Sequence, residues 1–189
     1  MEDMSLTGWL TKPYHVGSVI ATAIPYVYNN KFPKSWPKVT TFMNSLRTSD
    51  EDSRLPIGVA GFCWGGKHTI NLAHGFKTPS GLNLIDAAFT AHPSNLDIPA
   101  EIEKVRFPLS IAQPEKDMAV RPEQYALIKE TLGKLEKEEG VKWECVEYAG
   151  ATHGFGVRAD EKKDEAKQAA GAEEQAIRWF QRQFENVKR

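Results

Sequence analysis

Apolar and polar positions along the chain follow two periods, one typical of helices and one typical of buried strands. Between residues 36 and 47, apolar side chains recur at helical spacing and predict a helix. From residue 55 onward, short apolar or alternating runs predict four strands, at 56–61, 84–91, 108–112 and 142–148. Amphipathic stretches predict three more helices, one following the first strand to about 76, one at 122–138 and one at about 162–185.

Two of these helices have a predicted core face. In the helix at 122–138 the expected buried stripe consists of Tyr125, Ile128, Leu132 and Leu135, and Gly140 ends the helix. In the last helix the residues expected to face the core are Ala166, Ala169, Ala176, Phe180 and Phe184. Strands that alternate with helices are typical of βαβ units, so the fold class is α/β, with a parallel sheet flanked by helices. We expect a single domain over residues 1–189.

Composition and charge narrow the possible classes of function. The chain of 189 residues has a formal net charge of -1, so it lacks a general attraction for nucleic acid or anionic membranes. No apolar stretch approaches the roughly 20 residues that span a bilayer, and the acidic N-terminus has no signal region. The two distant cysteines favour a reducing compartment, hence a cytoplasmic protein. Paired cysteine or histidine spacings that bind zinc are missing, so no metal is expected.

The strongest local motif is Gly61-Phe-Cys63-Trp-Gly65, which directly follows the first predicted strand. It has the G-x-S-x-G pattern of a nucleophile turn with cysteine in place of serine, and small residues relieve crowding in so sharp a turn. The sulfur would stand at a helix N-terminus, which stabilises a thiolate, and the N–H of Trp64 would belong to an oxyanion hole. A buried structural cysteine in a glycine-rich turn is the alternative interpretation.

Two further residues complete a catalytic order. Asp117 follows the third predicted strand and His153 follows the fourth. Nucleophile, acid and histidine in this order, each after the carboxyl end of a strand, are typical of an α/β-hydrolase triad. In this hypothesis Cys63 attacks a carbonyl, His153 transfers the proton and Asp117 orients the imidazole.

Each partner of the cysteine has alternatives in the sequence. Glu115 competes with Asp117, which could also be a solvated loop carboxylate. His68 and His74 lie on the helix after the cysteine and fit surface or packing roles better than catalysis. His92 ends the second strand at the same edge of the sheet, so it is a candidate for lining the pocket.

Several segments together resemble the fungal branch of the dienelactone hydrolase (carboxymethylenebutenolidase-like) family. They are Gly-Phe-Cys-Trp-Gly-Gly-Lys, Thr-Ala-His-Pro-Ser, Pro-Leu-Ser-Ile-Ala, Ala-Thr-His-Gly-Phe-Gly-Val-Arg and Ala-Ile-Arg-Trp-Phe. The resemblance implies an α/β-hydrolase fold and hydrolysis of a small ester or lactone without cofactor. By motif match it places the triad on Cys63, Asp117 and His153.

The resemblance also suggests how a substrate would be bound. Some relatives hold an anionic substrate through an arginine just after the catalytic histidine, and Arg158 is the candidate here, with an exposed charge as the alternative. From their positions beside the triad, His92, Met118 and Phe155 are further substrate-binding candidates, and with Trp64 they suggest an aromatic, mostly apolar site.

The chain departs from the family pattern near its N-terminus. Members usually carry several strands ahead of the region that matches residue 1, and those strands supply a second oxyanion donor. Here a single strand candidate, at 19–24, precedes the cysteine motif. We therefore expect a sheet without its N-terminal strands, whose exposed edge favours a homodimer. A catalytically weak or inactive relative that acts as a binding protein is the second functional hypothesis.

Overall fold

The computed structural model describes residues 21, 25, 28–49, 55–158, 165–185 and 187. It contains two compact units, Met1–Thr41 and Phe42–Arg189, and all strands described below belong to the second unit. The expectation of a single domain over the whole chain stays a prediction. Of the strand candidate at 19–24, only Ala21 is described, and it is helical; the rest lies outside the described residues.

Helices and strands alternate along the described chain as the sequence pattern predicts. The helices are α1 (Phe32–Thr48), α2 (Trp64–Leu72), α3 (Pro122–Glu139), α4 (Phe155–Arg158) and α5 (Glu165–Phe184). The strands are β1 (Gly58–Phe62), β2 (Ala87–Ala91), β3 (Leu109–Lys116) and β4 (Trp143–Thr152). All four predicted strands are present, and β3 and β4 extend further toward their carboxyl ends than the apolar runs indicate.

The four strands form one parallel sheet in the order β1-β2-β3-β4. This confirms the predicted α/β fold class with a parallel sheet. The register aligns the carboxyl ends of β1 and β2, because Phe62 pairs with Ala91, and it aligns the ends of β3 and β4, because Lys116 pairs with Thr152. β3 extends four residues beyond Ala112, the partner of Ala91. The segments that follow these strands therefore meet at one edge of the sheet, where open parallel sheets place their functional groups.

The helix ends have local causes in the sequence. Helix α3 buries its predicted stripe and ends at Gly140, whose φ of 73° is the left-handed conformation that glycine adopts readily. Helix α2 ends at Leu72, earlier than the predicted limit near residue 76, and the chain turns through Gly75 with a φ of 91°. A left-handed residue cannot continue a right-handed helix, so the apolar period overestimates the length of α2.

The prediction for the core face of α5 is confirmed in part, because Ala176 and Phe180 pack against the buried core but are themselves only partly buried. The buried residues of this helix are Ala172, Gln175 and Trp179. Gln175 can be buried because its amide donates to Ser110 Oγ at 2.9 Å and accepts from the Tyr148 hydroxyl at 2.8 Å. A pattern that counts only apolar positions does not assign a polar residue such as Gln175 to the buried stripe.

The residues predicted at the core lie beside this fully buried stripe of α5 and are partly buried. Four of them, Ala166, Ala169, Ala176 and Phe180, line an open apolar cavity of about 620 Å³. Phe62 of β1 also lines this cavity and is 37% exposed. Within the described ranges, no strand pairs with the outer edge of β1.

A buried ion pair fixes the start of the sheet. The Arg47 guanidinium is fully buried and lies 2.7 Å from an Asp86 carboxylate oxygen. It also donates to the carbonyl oxygen of Leu55 at 2.9 Å, and the backbone N–H of Ile57 donates to Asp86 at 2.7 Å. The pair therefore ties the end of α1 to the segments that enter β1 and β2, and a buried charge needs such a partner.

None of the helices in the described ranges combines the length and apolar character that a membrane span requires.

Candidate active site

Cys63 occupies a strained turn between β1 and α2. Its φ of 50° and ψ of -116° are unusual for a residue with a side chain. The strain is held from both sides, since the N–H of Cys63 donates to the Ala91 carbonyl at 3.3 Å and the Gly66 N–H donates to the Cys63 carbonyl at 3.0 Å. The tight nucleophile turn predicted from the motif is present.

The three glycines of this turn differ in how much space they leave for a side chain. A Cβ on Gly61 would collide with the Thr69 hydroxyl and lie 2.5 Å from the Gly65 carbonyl oxygen. A Cβ on Gly65 would meet no described atom within 4 Å. At Gly66, an added Cβ would lie 2.6 Å from Pro93 and from the Thr90 hydroxyl. Crowding therefore demands glycine at positions 61 and 66, whereas the motif suggests positions 61 and 65.

Three predicted residues meet above the carboxyl edge of the sheet. The Sγ of Cys63 lies 3.1 Å from Nε2 of His153. The Nδ1 of the same imidazole lies 2.9 and 3.1 Å from the two carboxylate oxygens of Asp117. Because a carboxylate only accepts, Nδ1 carries the proton, and Nε2 of the neutral ring is free to accept one from the thiol.

Asp117 rather than Glu115 holds the histidine. The side chain of Asp117 is buried, and its Oδ1 also accepts a hydrogen bond from the N–H of Ala119 at 2.8 Å. Glu115 is exposed and accepts from the N–H of Gly150 at 2.6 Å. Asp117, the residue after β3, thus orients the imidazole, and Glu115 of β3 braces β4, the strand that precedes His153.

The electrostatics of the pair favour charge separation. Burial alone would raise the pKa of the Cys63 thiol, but hydrogen bonds from His153, Ser94 and the Trp64 backbone outweigh it and lower the pKa below its usual value. Burial lowers the pKa of His153, whereas its hydrogen bonds to Cys63 and Asp117 outweigh that effect and raise it. Both shifts stabilise a thiolate beside an imidazolium.

The other histidines have structural contacts. Nδ1 of His68 lies 3.4 Å from the Trp64 carbonyl oxygen, and Nε2 of His74 lies 2.7 Å from the Glu101 carbonyl oxygen. Both fit the packing roles predicted for helix α2 and its end. Neither is brought to the sulfur of the nucleophile.

His92 lies behind the His153 imidazole. It is fully buried, and its ring meets that of His153 edge-on at a centroid distance of 5.0 Å. Neither ring nitrogen of His92 hydrogen-bonds to another residue in the described part of the chain. Burial, with the nearby His153, lowers its pKa to about 4, so the ring is neutral and packs as an aromatic group.

The remaining binding candidates divide into exposed and buried groups. Met118 is 92% exposed beside Asp117, and Trp64, next to Cys63, is also exposed. Arg158 is exposed on α4, with its guanidinium close to Gly154. Phe155 is buried, and its ring contacts that of His92 at a centroid distance of 5.8 Å. Phe155 therefore packs against His92, which in turn contacts His153.

The sequence analysis assigns no role to one residue of the site, Ser94, although the segment Thr-Ala-His-Pro-Ser ends on it. Ser94 follows β2 and places its Oγ 3.7 Å from the Cys63 sulfur. A non-titratable residue in a turn gives no catalytic signal of its own, although its position after a parallel strand puts it at this edge of the sheet. In the described ranges, no three histidine, cysteine or acidic side chains are grouped to hold a metal ion.

The parallel sheet with flanking helices is an α/β-hydrolase fold. Similar solved structures include a dienelactone hydrolase-like promiscuous phosphotriesterase from metagenomic libraries, with a TM-score of 0.62, 16% identity and coverage of 87% of this chain and 67% of that one. The carboxylesterase Cest-2923 of Lactobacillus plantarum WCFS1 has a TM-score of 0.59, 15% identity and coverage of 80% and 68%. At these identities the likeness concerns the fold alone.

The sequence comparison is more specific. Residues 26–184 match the sequence model of the Dienelactone hydrolase family, and the chain belongs to this family. It is 32% identical over 145 residues to the hydrolase tropI of Talaromyces stipitatus, covering 76% of this chain and 52% of that protein. It is 30% identical over 149 residues to the hydrolase pyvD of Aspergillus violaceofuscus, covering 78% and 55%. The chain thus spans about half the length of these relatives.

Proposed function

We propose that this protein hydrolyses a small ester or lactone through Cys63, with a thioester acyl-enzyme as intermediate. The observation that carries the proposal is the continuous contact from the Cys63 sulfur to His153 at 3.1 Å and from His153 to Asp117 at 2.9 Å. A nucleophile, a base and a group that orients the base are the parts that acyl transfer needs. Membership of the dienelactone hydrolase family supports the same reaction class.

The residues have consecutive roles in the proposed reaction. The Cys63 thiolate attacks the carbonyl carbon, and the electron pair of the carbonyl moves to its oxygen. The N–H of Trp64, which already interacts with the sulfur, is placed to donate to that oxyanion. When the tetrahedral intermediate collapses, the bond to the alkoxide breaks and protonated His153 gives it a proton.

Water completes the cycle. His153, neutral after its proton has left with the alcohol, accepts a proton from water, and the hydroxide attacks the thioester. The carbon–sulfur bond then breaks, which releases the carboxylic acid and restores the thiolate beside the imidazolium. Asp117 keeps its charge throughout and stabilises the protonated ring. The cycle consumes one water and requires no other reactant.

The exposed side chains beside Cys63 and Asp117 support the proposed substrate class. Trp64 and Met118 offer apolar surface there, and we expect them to contact the acyl or ring portion of the substrate. Arg158 is the candidate for an anionic group. The relatives that this chain matches are named hydrolases, and one similar structure is a carboxylesterase, which fits an ester or lactone.

Hydrolysis of p-nitrophenyl acetate tests the proposal directly. Turnover is expected to disappear after alkylation with iodoacetamide and in Cys63→Ala. The matched control is Cys145→Ala, which removes the other thiol of the chain and is expected to keep the parent activity. Activity that survives in Cys63→Ala would contradict a cysteine nucleophile.

A binding role without turnover is the second candidate. In the described residues, Trp64 supplies the one backbone N–H that interacts with the Cys63 sulfur. An oxyanion hole with this donor alone would lack its second donor, and loss of one donor typically costs roughly 10²–10³ in turnover. The chain covers about half of each matched relative. Rapid alkylation of Cys63 without measurable ester turnover would support this alternative.

A further inference from the structure

We propose that the hydroxyl group of Ser94 donates a hydrogen bond to the Cys63 thiolate and acts with His153 to keep the nucleophile ionised. The inference deepens the proposed function, on which it rests for the role of Cys63. Because Ser94 touches the reacting sulfur, it would be a catalytic residue outside the triad. Its contribution is to the ionisation of the nucleophile and not to proton transfer.

The position of Ser94 is determined by two contacts with the same residue. Its backbone N–H donates to the Cys63 carbonyl oxygen at 3.0 Å, and its Oγ lies 3.7 Å from the Cys63 sulfur. Ser94 is only 8% exposed, so bulk water competes little for the hydroxyl. One residue therefore holds both the main chain and the side chain of the nucleophile.

The turn that presents Ser94 is fixed on both sides. His92 and Asn95 flank it with φ values of 41° and 57°, which residues other than glycine seldom adopt. The Asn95 carbonyl accepts a hydrogen bond from the Lys67 ammonium at 2.9 Å. Such strain persists only where the surrounding structure enforces it, and it is common at functional sites.

The chemistry of the two groups favours donation from oxygen to sulfur. A thiol is a weak acceptor, whereas a thiolate is charged, and hydrogen bonds to charged acceptors are the stronger class. The Ser94 hydroxyl therefore stabilises the ionised form more than the neutral form, which lowers the pKa of Cys63, as the structure indicates. The hydroxyl carries no charge and does not titrate, so its effect on the pKa of Cys63 is the same at every pH of the experiment.

The titratable and charged groups near the Cys63 sulfur are the same in every Ser94 variant. His153 faces Cys63 directly, and Asp117, the residue after β3, lies behind the imidazole. His92 packs behind the same imidazole, and Arg158 of α4 is close enough to influence the pKa of His92. A substitution at Ser94 leaves all four in place, so a shift in the titration of Cys63 reports the lost hydroxyl.

The experiment measures the rate of alkylation of Cys63 by iodoacetamide as a function of pH. The full chain carries Cys145→Ala, so that only one thiol reacts. We expect Ser94→Ala to move the inflection of the profile upward by about one pH unit, which lowers the rate below the inflection about tenfold. Ser80→Ala, which removes an exposed serine, is the matched control and should leave the profile unchanged.

A second pair of variants separates the hydroxyl from packing. Threonine and valine have nearly the same shape, and only threonine keeps the hydroxyl. Ser94→Thr should retain the parent inflection, and Ser94→Val should shift upward as Ser94→Ala does. An unchanged inflection in folded Ser94→Ala, or equal profiles for the threonine and valine variants, would overturn the proposal.

The outcome is independent of the proposed function. If the inflection shifts as expected but the parent protein shows no ester turnover, the proposed hydrolysis fails and the role of Ser94 in ionisation stands. If ester turnover depends on Cys63 but the inflection does not respond to position 94, only the inference about Ser94 fails.

Discussion

Cys63 should react with iodoacetamide much faster than Cys145, because the two thiols lie in opposite electrostatic environments. Although part of Cys145 reaches the surface, burial of its sulfur raises its pKa to about 12. The pKa of Cys63 lies below the usual value of 9.0. The difference is at least about three units, so at pH 7 the thiolate fraction of Cys63 is at least roughly 1000 times larger.

The expected rate ratio is smaller than the ratio of thiolate fractions. A thiolate of lower pKa is intrinsically less nucleophilic, and a Brønsted coefficient near 0.5 removes a factor of about 30 over three units. A ratio of initial rates of at least about 30 in favour of Cys63 therefore remains. Brief labelling at pH 7 and peptide mapping measure it, with Cys63→Ser as the control that leaves only Cys145. Comparable labelling of the two cysteines would refute the assignment of Cys63 as an activated nucleophile.

Other features of the structure give further predictions. His153→Ala should lower ester turnover on the order of 10²-fold or more, measured at steady state, because the base is lost; a smaller loss would point to another base. Gly61→Ala should disrupt the nucleophile turn and abolish turnover, whereas Gly65→Ala should retain it, since only the first added Cβ meets a collision. Arg47→Met should lower the free energy of unfolding in urea by about 3–5 kcal/mol, because it leaves a largely buried carboxylate without its partner; a loss under about 1 kcal/mol would contradict this reading. If the open apolar cavity drives self-association, light scattering should show a dimer, and Ile177→Lys, at an exposed residue that lines the cavity, should favour the monomer.

The sequence predicts that three side chains meet, because chain order and parallel topology restrict where they can lie. Cys63, Asp117 and His153 each follow a strand, and parallel strands end at a common edge. Apolar runs identify all four strands, since buried parallel strands consist of such runs. Periodicity and spacing are sufficient when each element carries one clear pattern.

Residues whose roles depend on tertiary contacts escape sequence reasoning. Arg47 is a charged residue in a helix, and a sequence pattern places such a side chain in solvent, yet it is fully buried against Asp86. Gln175 is buried on α5 because its amide bonds to residues on β3 and β4, which a helical apolar pattern cannot foresee. Ser94 reaches the sulfur through a turn whose left-handed neighbours are not glycines. Each case requires a partner that is distant in sequence.

The central claim is that the Cys63 sulfur carries the acyl group during ester hydrolysis. Its most direct test is to mix the protein with p-nitrophenyl acetate, quench with acid within the first turnovers and locate the added acetyl group by peptide mass spectrometry. We predict one acetyl group on the peptide that contains Cys63, sensitive to hydroxylamine at neutral pH, and none in Cys63→Ala. Acetylation of another residue during active turnover, or turnover by Cys63→Ala at the parent rate, would contradict the account.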